Sequence, residues 1–152
     1  MAAGVFTTLN LARPKLSNGT FDLDTNTFKL ALTTSSQVIA ANFAGTSTDC
    51  RYSDLTNEVA NANGYTTAGV TLGSVTWAGG SGTVTFDCAD PTWTLTGGGI
   101  TFKYGIIYAS SVSNSPLLAF FDADTGGGSV SPLAGTLTIQ INASGIFTMT
   151  QT

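Results

Sequence analysis

Hydrophobic and polar positions alternate along much of the chain. In 82–88, Val84, Phe86 and Cys88 fall on one side and Thr83 and Thr85 on the other. The segment 136–141 repeats the pattern with Leu137, Ile139 and Ile141. Phe28, Leu30 and Leu32 make a third case, with Lys29 facing outward. A period of two is the mark of half-buried strands. Residue choice predicts further strands over 69–72, 74–77, 100–108, 117–121 and 145–150, all rich in Thr, Val, Ile, Phe and Tyr. From Thr101 to Tyr108 both faces are apolar, which predicts a central strand covered on either side.

Turn chemistry separates these runs. Glycine clusters at 79–82, 97–99 and 126–128, and Asp90-Pro91, mark connections. Helical pattern is sparse. The segment 53–59 suits a turn or two with Ser53 or Asp54 as N-cap, and 8–16 suits a second short helix if Pro14 lies in its first turn or ends it. The polar stretch 33–51 has no sustained period and reads as an extended loop or arm. The expectation is one all-β domain over 1–152, a β-sandwich or distorted barrel of about eight short, mostly antiparallel strands.

Composition narrows the function. The 152 residues contain no histidine, which removes His-activated nucleophiles, imidazole acid–base chemistry and His metal ligands. Charged residues make up 9%, against roughly 25% in ordinary soluble domains. A net charge of −4 with five scattered cations (Arg13, Lys15, Lys29, Arg51, Lys103) is the reverse of a phosphate-binding surface, so no nucleic-acid partner is expected. No run nears the ~18 apolar residues of a membrane span, and 1–16 lacks the layout of a secretion signal. The reading is a non-enzymatic domain without cofactor or metal, made in the cytoplasm and without a membrane partner.

The chemical candidates each have a plainer reading. Asp122-Ala123-Asp124-Thr125-Gly126 superficially resembles the start of a calcium loop, but Gly126 stands at the third ligand position and Leu133 at the twelfth. It reads as a turn after Phe121. Asp87 and Asp90, near Trp93, evoke the paired acids of a glycosidase or a sugar-binding platform, yet read better as solvated acids. Gly97-Gly98-Gly99 leads into a strand and not the helix that a phosphate loop requires. Asn18-Gly19-Thr20 and Asn142-Ala143-Ser144 fit the glycosylation pattern. Trp77, Trp93, Tyr65 and Tyr108 read as core or interface aromatics. Cys88 lies on the apolar face of its strand. Cys50, between Asp49 and Arg51, reads as an exposed thiol that suggests a partner. Two free thiols, a disulfide within the chain and a disulfide between subunits all remain open for Cys50 and Cys88.

Several short motifs point further. They include Leu55-Thr56-Asn57-Glu58, Asn63-Gly64-Tyr65-Thr66, Val70-Thr71-Leu72-Gly73, Trp93-Thr94 and Tyr104-Gly105-Ile106-Ile107-Tyr108. Leu117-Leu118-Ala119-Phe120-Phe121-Asp122, Gly135-Thr136-Leu137-Thr138-Ile139 and Gly145-Ile146-Phe147 continue them. With these the stretch 52–150 resembles a group of small structural proteins of tailed bacteriophages, and 19–32 looks like their first strand. The resemblance implies a β-rich capsid decoration (cement) protein or a tail-fibre-like protein, with no catalytic residue to carry over. The cysteine pair is not part of it. What it implies is a homotrimer on the capsid surface of a virion, assembled in the host cytoplasm and bound to the major capsid protein. The alternatives are a tail-tip or tail-fibre component contacting glycan through exposed aromatics, and a carbohydrate-binding module or glycosidase using Asp87 and Asp90.

Overall fold

A computed structural model describes residues 4–39, 43 and 50–150. In chain order the elements are β1 (Thr7–Thr8), α1 (Ala12–Ser17), β2 (Phe28–Thr33), β3 (Val70–Thr71), β4 (Thr76–Gly80), β5 (Thr83–Asp87), β6 (Thr92–Leu95), β7 (Tyr104–Ala109), β8 (Leu117–Asp122), β9 (Gly135–Thr138) and β10 (Phe147–Thr150). They form a five-stranded sheet in the order β1-β8-β7-β2-β3, a three-stranded sheet β10-β5-β4 and a pair β6-β9. Every pairing is antiparallel. The fold is all-β and sandwich-like, and it does not close into a barrel.

β7 is the middle strand of the large sheet, and Gly105 to Ala109 are buried on both faces, as the doubly apolar sequence predicts. Gly105 lies opposite Phe121 in register. A Cβ at Gly105 would come 2.1 Å from the Phe121 ring, so the absent side chain is the space that ring fills. Phe6 meets the same ring edge-on at 5.0 Å. The two larger sheets are joined by Phe28 of β2 against Phe86 of β5, at 5.1 Å between ring centroids. Each fully buried phenylalanine contributes about 2–3 kcal/mol of transfer free energy.

The β4–β5 hairpin turns on Ser81 and Gly82, both with positive φ (55° and 84°). That is the two-residue geometry whose twist matches the flanking strands. The expected strand 100–108 begins as regular ladder only at Tyr104, because Ile100 N–H donates to the Pro132 carbonyl and Phe102 exchanges a pair of backbone bonds with Val130 in an isolated bridge.

Three expectations need correction. The helix predicted over 8–16 is only Ala12–Ser17, since Thr7 and Thr8 pair with Phe120 and Ala119 as an edge strand. Pro14 does fall in its first turn. The segment 53–59 is not α-helical. It makes a 3-10 turn over Tyr52–Asp54 and then runs extended beside the end of β2, with Val59 N–H donating to the Leu32 carbonyl at 2.9 Å. Asp54 sits inside that turn, not at its start, and accepts from the Arg51 N–H at 2.8 Å. β6 was not among the predicted strands, although Thr92-Trp93-Thr94-Leu95 alternates exposed and buried positions, because so short a run sits between Pro91 and the glycines at 97–99, which mark turns. Of the predicted arm 33–51, residues 33–37 fold back onto the domain, with Gln37 buried and its Oε1 accepting from the N–H groups of Thr56 and Asn57. Residues 40–42 and 44–49 lie outside the described residues.

Candidate functional site

The densest polar cluster gathers around Glu58, the sole glutamate of the chain. Its Oε1 accepts from the Tyr65 hydroxyl and the Ala68 N–H, both at 2.7 Å. Its Oε2 accepts from the Tyr52 hydroxyl. Tyr65 itself accepts from the Leu32 N–H at 2.9 Å, and Tyr108 donates to the Ala68 carbonyl at 2.8 Å. Tyr52 stacks on Tyr108 at 4.5 Å, and Tyr65 on Trp93 at 6.3 Å. Two of the four tyrosines thus converge on one carboxylate while a third holds the Ala68 carbonyl beside it, and the cluster sews 52–68 onto β2 and β7.

Burial, then the neighbouring Glu58 carboxylate, pushes the Tyr52 phenol far above its ordinary range. Burial is also the leading cause for Tyr65, which Glu58 raises further. Tyr108 is pushed up to about 12 by burial and by Glu58. At neutral pH these phenols are permanent donors, and the carboxylate that receives Tyr52 and Tyr65 has both oxygens engaged. The arrangement is a clamp.

A second cluster closes the aspartate loop. Lys103 is buried, and its Nζ lies 3.3 Å from Asp122 Oδ2 while donating to the carbonyls of Asp124 (3.2 Å) and Gly128 (3.0 Å). It also stands 5.4 Å from the centre of the Tyr104 ring. Asp122 Oδ1 accepts from the Asp124 N–H, and Asp124 Oδ1 from the Gly126 N–H. The Lys103 ammonium, just ahead of β7, therefore ties the loop 122–128 to the sheet. Among the described residues, no three His, Cys, Asp or Glu are gathered to hold a metal ion.

Asp87 and Asp90 are each engaged with backbone. Asp87 Oδ1 accepts from the Cys88 N–H and Asp90 Oδ1 from the Ile141 N–H, both at 2.8 Å. Trp93, Tyr65 and Tyr108 are core aromatics, as expected, and Trp77 is half-buried. The large hydrophobic side chains that stand exposed among the described residues are Val5, Val38, Leu133 and Met149, none of them aromatic. Among the described residues no aromatic side chain is fully exposed, and Trp77 is one that stays half-buried at the surface. Asn18 and Asn142 are exposed in turns that their own side chains cap.

Cys50 is the clearest correction, for it is fully buried. Arg51 bridges to Pro116, Tyr52 N–H donates to the Ser115 carbonyl, and Leu117 N–H donates to the Cys50 carbonyl at 2.8 Å. These bonds draw residues 50–52 in beside the start of β8, a long-range pairing that the polar neighbours Asp49 and Arg51 conceal in the sequence. Both cysteines are free thiols. Burial raises each to about 12, with nearby aspartates adding to the effect.

Glu58 and Lys103 are the organising polar residues that sequence reasoning passed over as chemistry. Their signal was compositional: a lone glutamate followed by Tyr65, and a lysine inside an otherwise apolar strand. No known protein family, curated protein or solved structure matches the chain.

Proposed function

We propose that the chain is a structural protein of a tailed-bacteriophage virion, a capsid decoration (cement) protein. It binds the outside of the head as a homo-oligomer and reinforces contacts between major capsid subunits. One observation carries this reading: among the described residues, the exposed strand positions are uncharged. Thr76, Ala78, Thr92, Thr94, Thr136, Thr148 and Thr150 all face solvent. Neutral, strand-borne surface of this kind suits packing against other protein, because interface cores are depleted of charge. The acidic balance suits a position away from packaged DNA.

Immunogold labelling of purified virions with antibody to this chain tests the proposal. Gold over heads is the expected result. Gold confined to tails assigns the chain to the tail tip or fibre, and unlabelled particles overturn the virion reading altogether.

A further inference from the structure

We infer that the apolar row at the free end of the three-stranded sheet docks against the same row of a second copy of this chain. Register places Trp77, Phe86 and Phe147 in one row across β4, β5 and β10, and Gly79, Val84 and Met149 in the next row on the same face. The first row is closed, with Phe86 fully buried against Phe28 and Phe147 packed on Phe86 at 5.3 Å. The second row runs past the cover that α1 and the 17–23 loop provide. Met149 is 51% exposed, and three surface grooves meet at its side chain.

Charge identifies the occupant. Residues 59–86 and 125–152 contain no charged side chain, so the row itself repels nothing. Elsewhere the net charge of −4 and exposed acids such as Asp24 and Asp90 set copies against one another. The grooves beside Met149 carry one charge of each sign at their rims, Arg13 of α1 in one and Asp22 in another, both exposed. A two-fold contact sets a patch against itself, and an axis at Met149, which lines both grooves, would set the Arg13 rim of one copy on the Asp22 rim of the other. β4, an outer strand, also lacks the charges and prolines that ordinarily ward neighbours off an edge. The inference deepens the homo-oligomer part of the proposed function by naming its contact, and it is tested on the isolated protein, apart from the virion labelling.

Sedimentation velocity with light scattering on the purified chain provides the test. Wild-type protein is expected to self-associate with concentration. Met149→Lys and Arg13→Glu, both at exposed positions, are each expected to weaken association about tenfold or more by setting like or unpaired charge in the contact. Leu133→Lys, at an exposed apolar position elsewhere, is expected to leave it unchanged. Arg13→Glu keeps the test decisive if Met149→Lys does not fold. A chain that stays monomeric at every concentration overturns the proposal, as does association that survives both variants or yields to Leu133→Lys. Monomeric protein that binds phage heads through Met149 overturns it too, by making the capsid protein the partner of this row.

Discussion

Glu58 shows how much a single residue can organise in a chain with so little charge. Its two oxygens receive three donors from Tyr52, Tyr65 and Ala68, which flank it along an irregular segment that no local periodicity organises. Removing the carboxylate leaves a buried phenol and a backbone N–H without their acceptor. Each such orphan costs about 1–3 kcal/mol. Glu58→Ala is therefore expected to lower unfolding stability by about 2–4 kcal/mol. Glu58→Gln retains one carbonyl acceptor but turns an amide donor toward another donor, so a loss of roughly half that size is expected. Urea unfolding followed by tryptophan fluorescence checks both. Equal midpoints for wild type and Glu58→Ala would show that the clamp is incidental.

The elements divide into those that local pattern specifies and those that distant partners impose. β2, β5 and β8 are legible because alternation or unbroken apolar character coincides with their burial. The central place of β7 was legible for the same reason. The two-residue β1, the short β6 and the inward course of residues 50–52 were not, since each is held by backbone bonds to partners far along the chain. The Lys103 cluster was hidden by the same cause, whereas the Glu58 cluster lies within 52–68 and was hidden because that segment is irregular and shows no period. Gly105 is a case where the sequence shows a glycine in a strand and only the packing explains it. Alanine there drives a methyl into the Phe121 ring, and overpacking of this kind costs about 1–3 kcal/mol. Gly105→Ala is expected to destabilise by that amount. Gly105→Ala with Phe121→Leu is expected to cost less than the two single losses added together, because the smaller side chain vacates the contested space. A double-mutant cycle in urea measures the coupling, and strict additivity would mean that the ring does not determine the glycine.

At the scale of the whole molecule, five titratable groups with raised proton affinity share one continuous core: Cys50, Cys88, Tyr52, Tyr65 and Tyr108. Each is neutral when protonated, and folding favours that neutral form. In the unfolded chain the thiols ionise near 9.0 and the phenols near 10.0, whereas in the folded chain Cys50, Cys88 and Tyr108 hold their protons to about 12. Above those unfolded values the unfolded chain binds fewer protons than the native one, so stability must fall as pH rises. The contribution is complete below pH 9, erodes first through the thiols and then through the phenols, and is spent as pH passes the folded values. Because the Glu58 clamp ties Tyr52, Tyr65 and the Ala68 backbone into one unit, these groups are expected to be released together and not one at a time. Tyrosinate absorbance and circular dichroism, recorded on the same samples from pH 8 to 12, are expected to change in a single coincident transition. Thiol reagent should leave both cysteines unreacted below that transition and label both above it. Tyrosinate signal from more than one phenol before any loss of β structure would show that the clamp does not govern proton release.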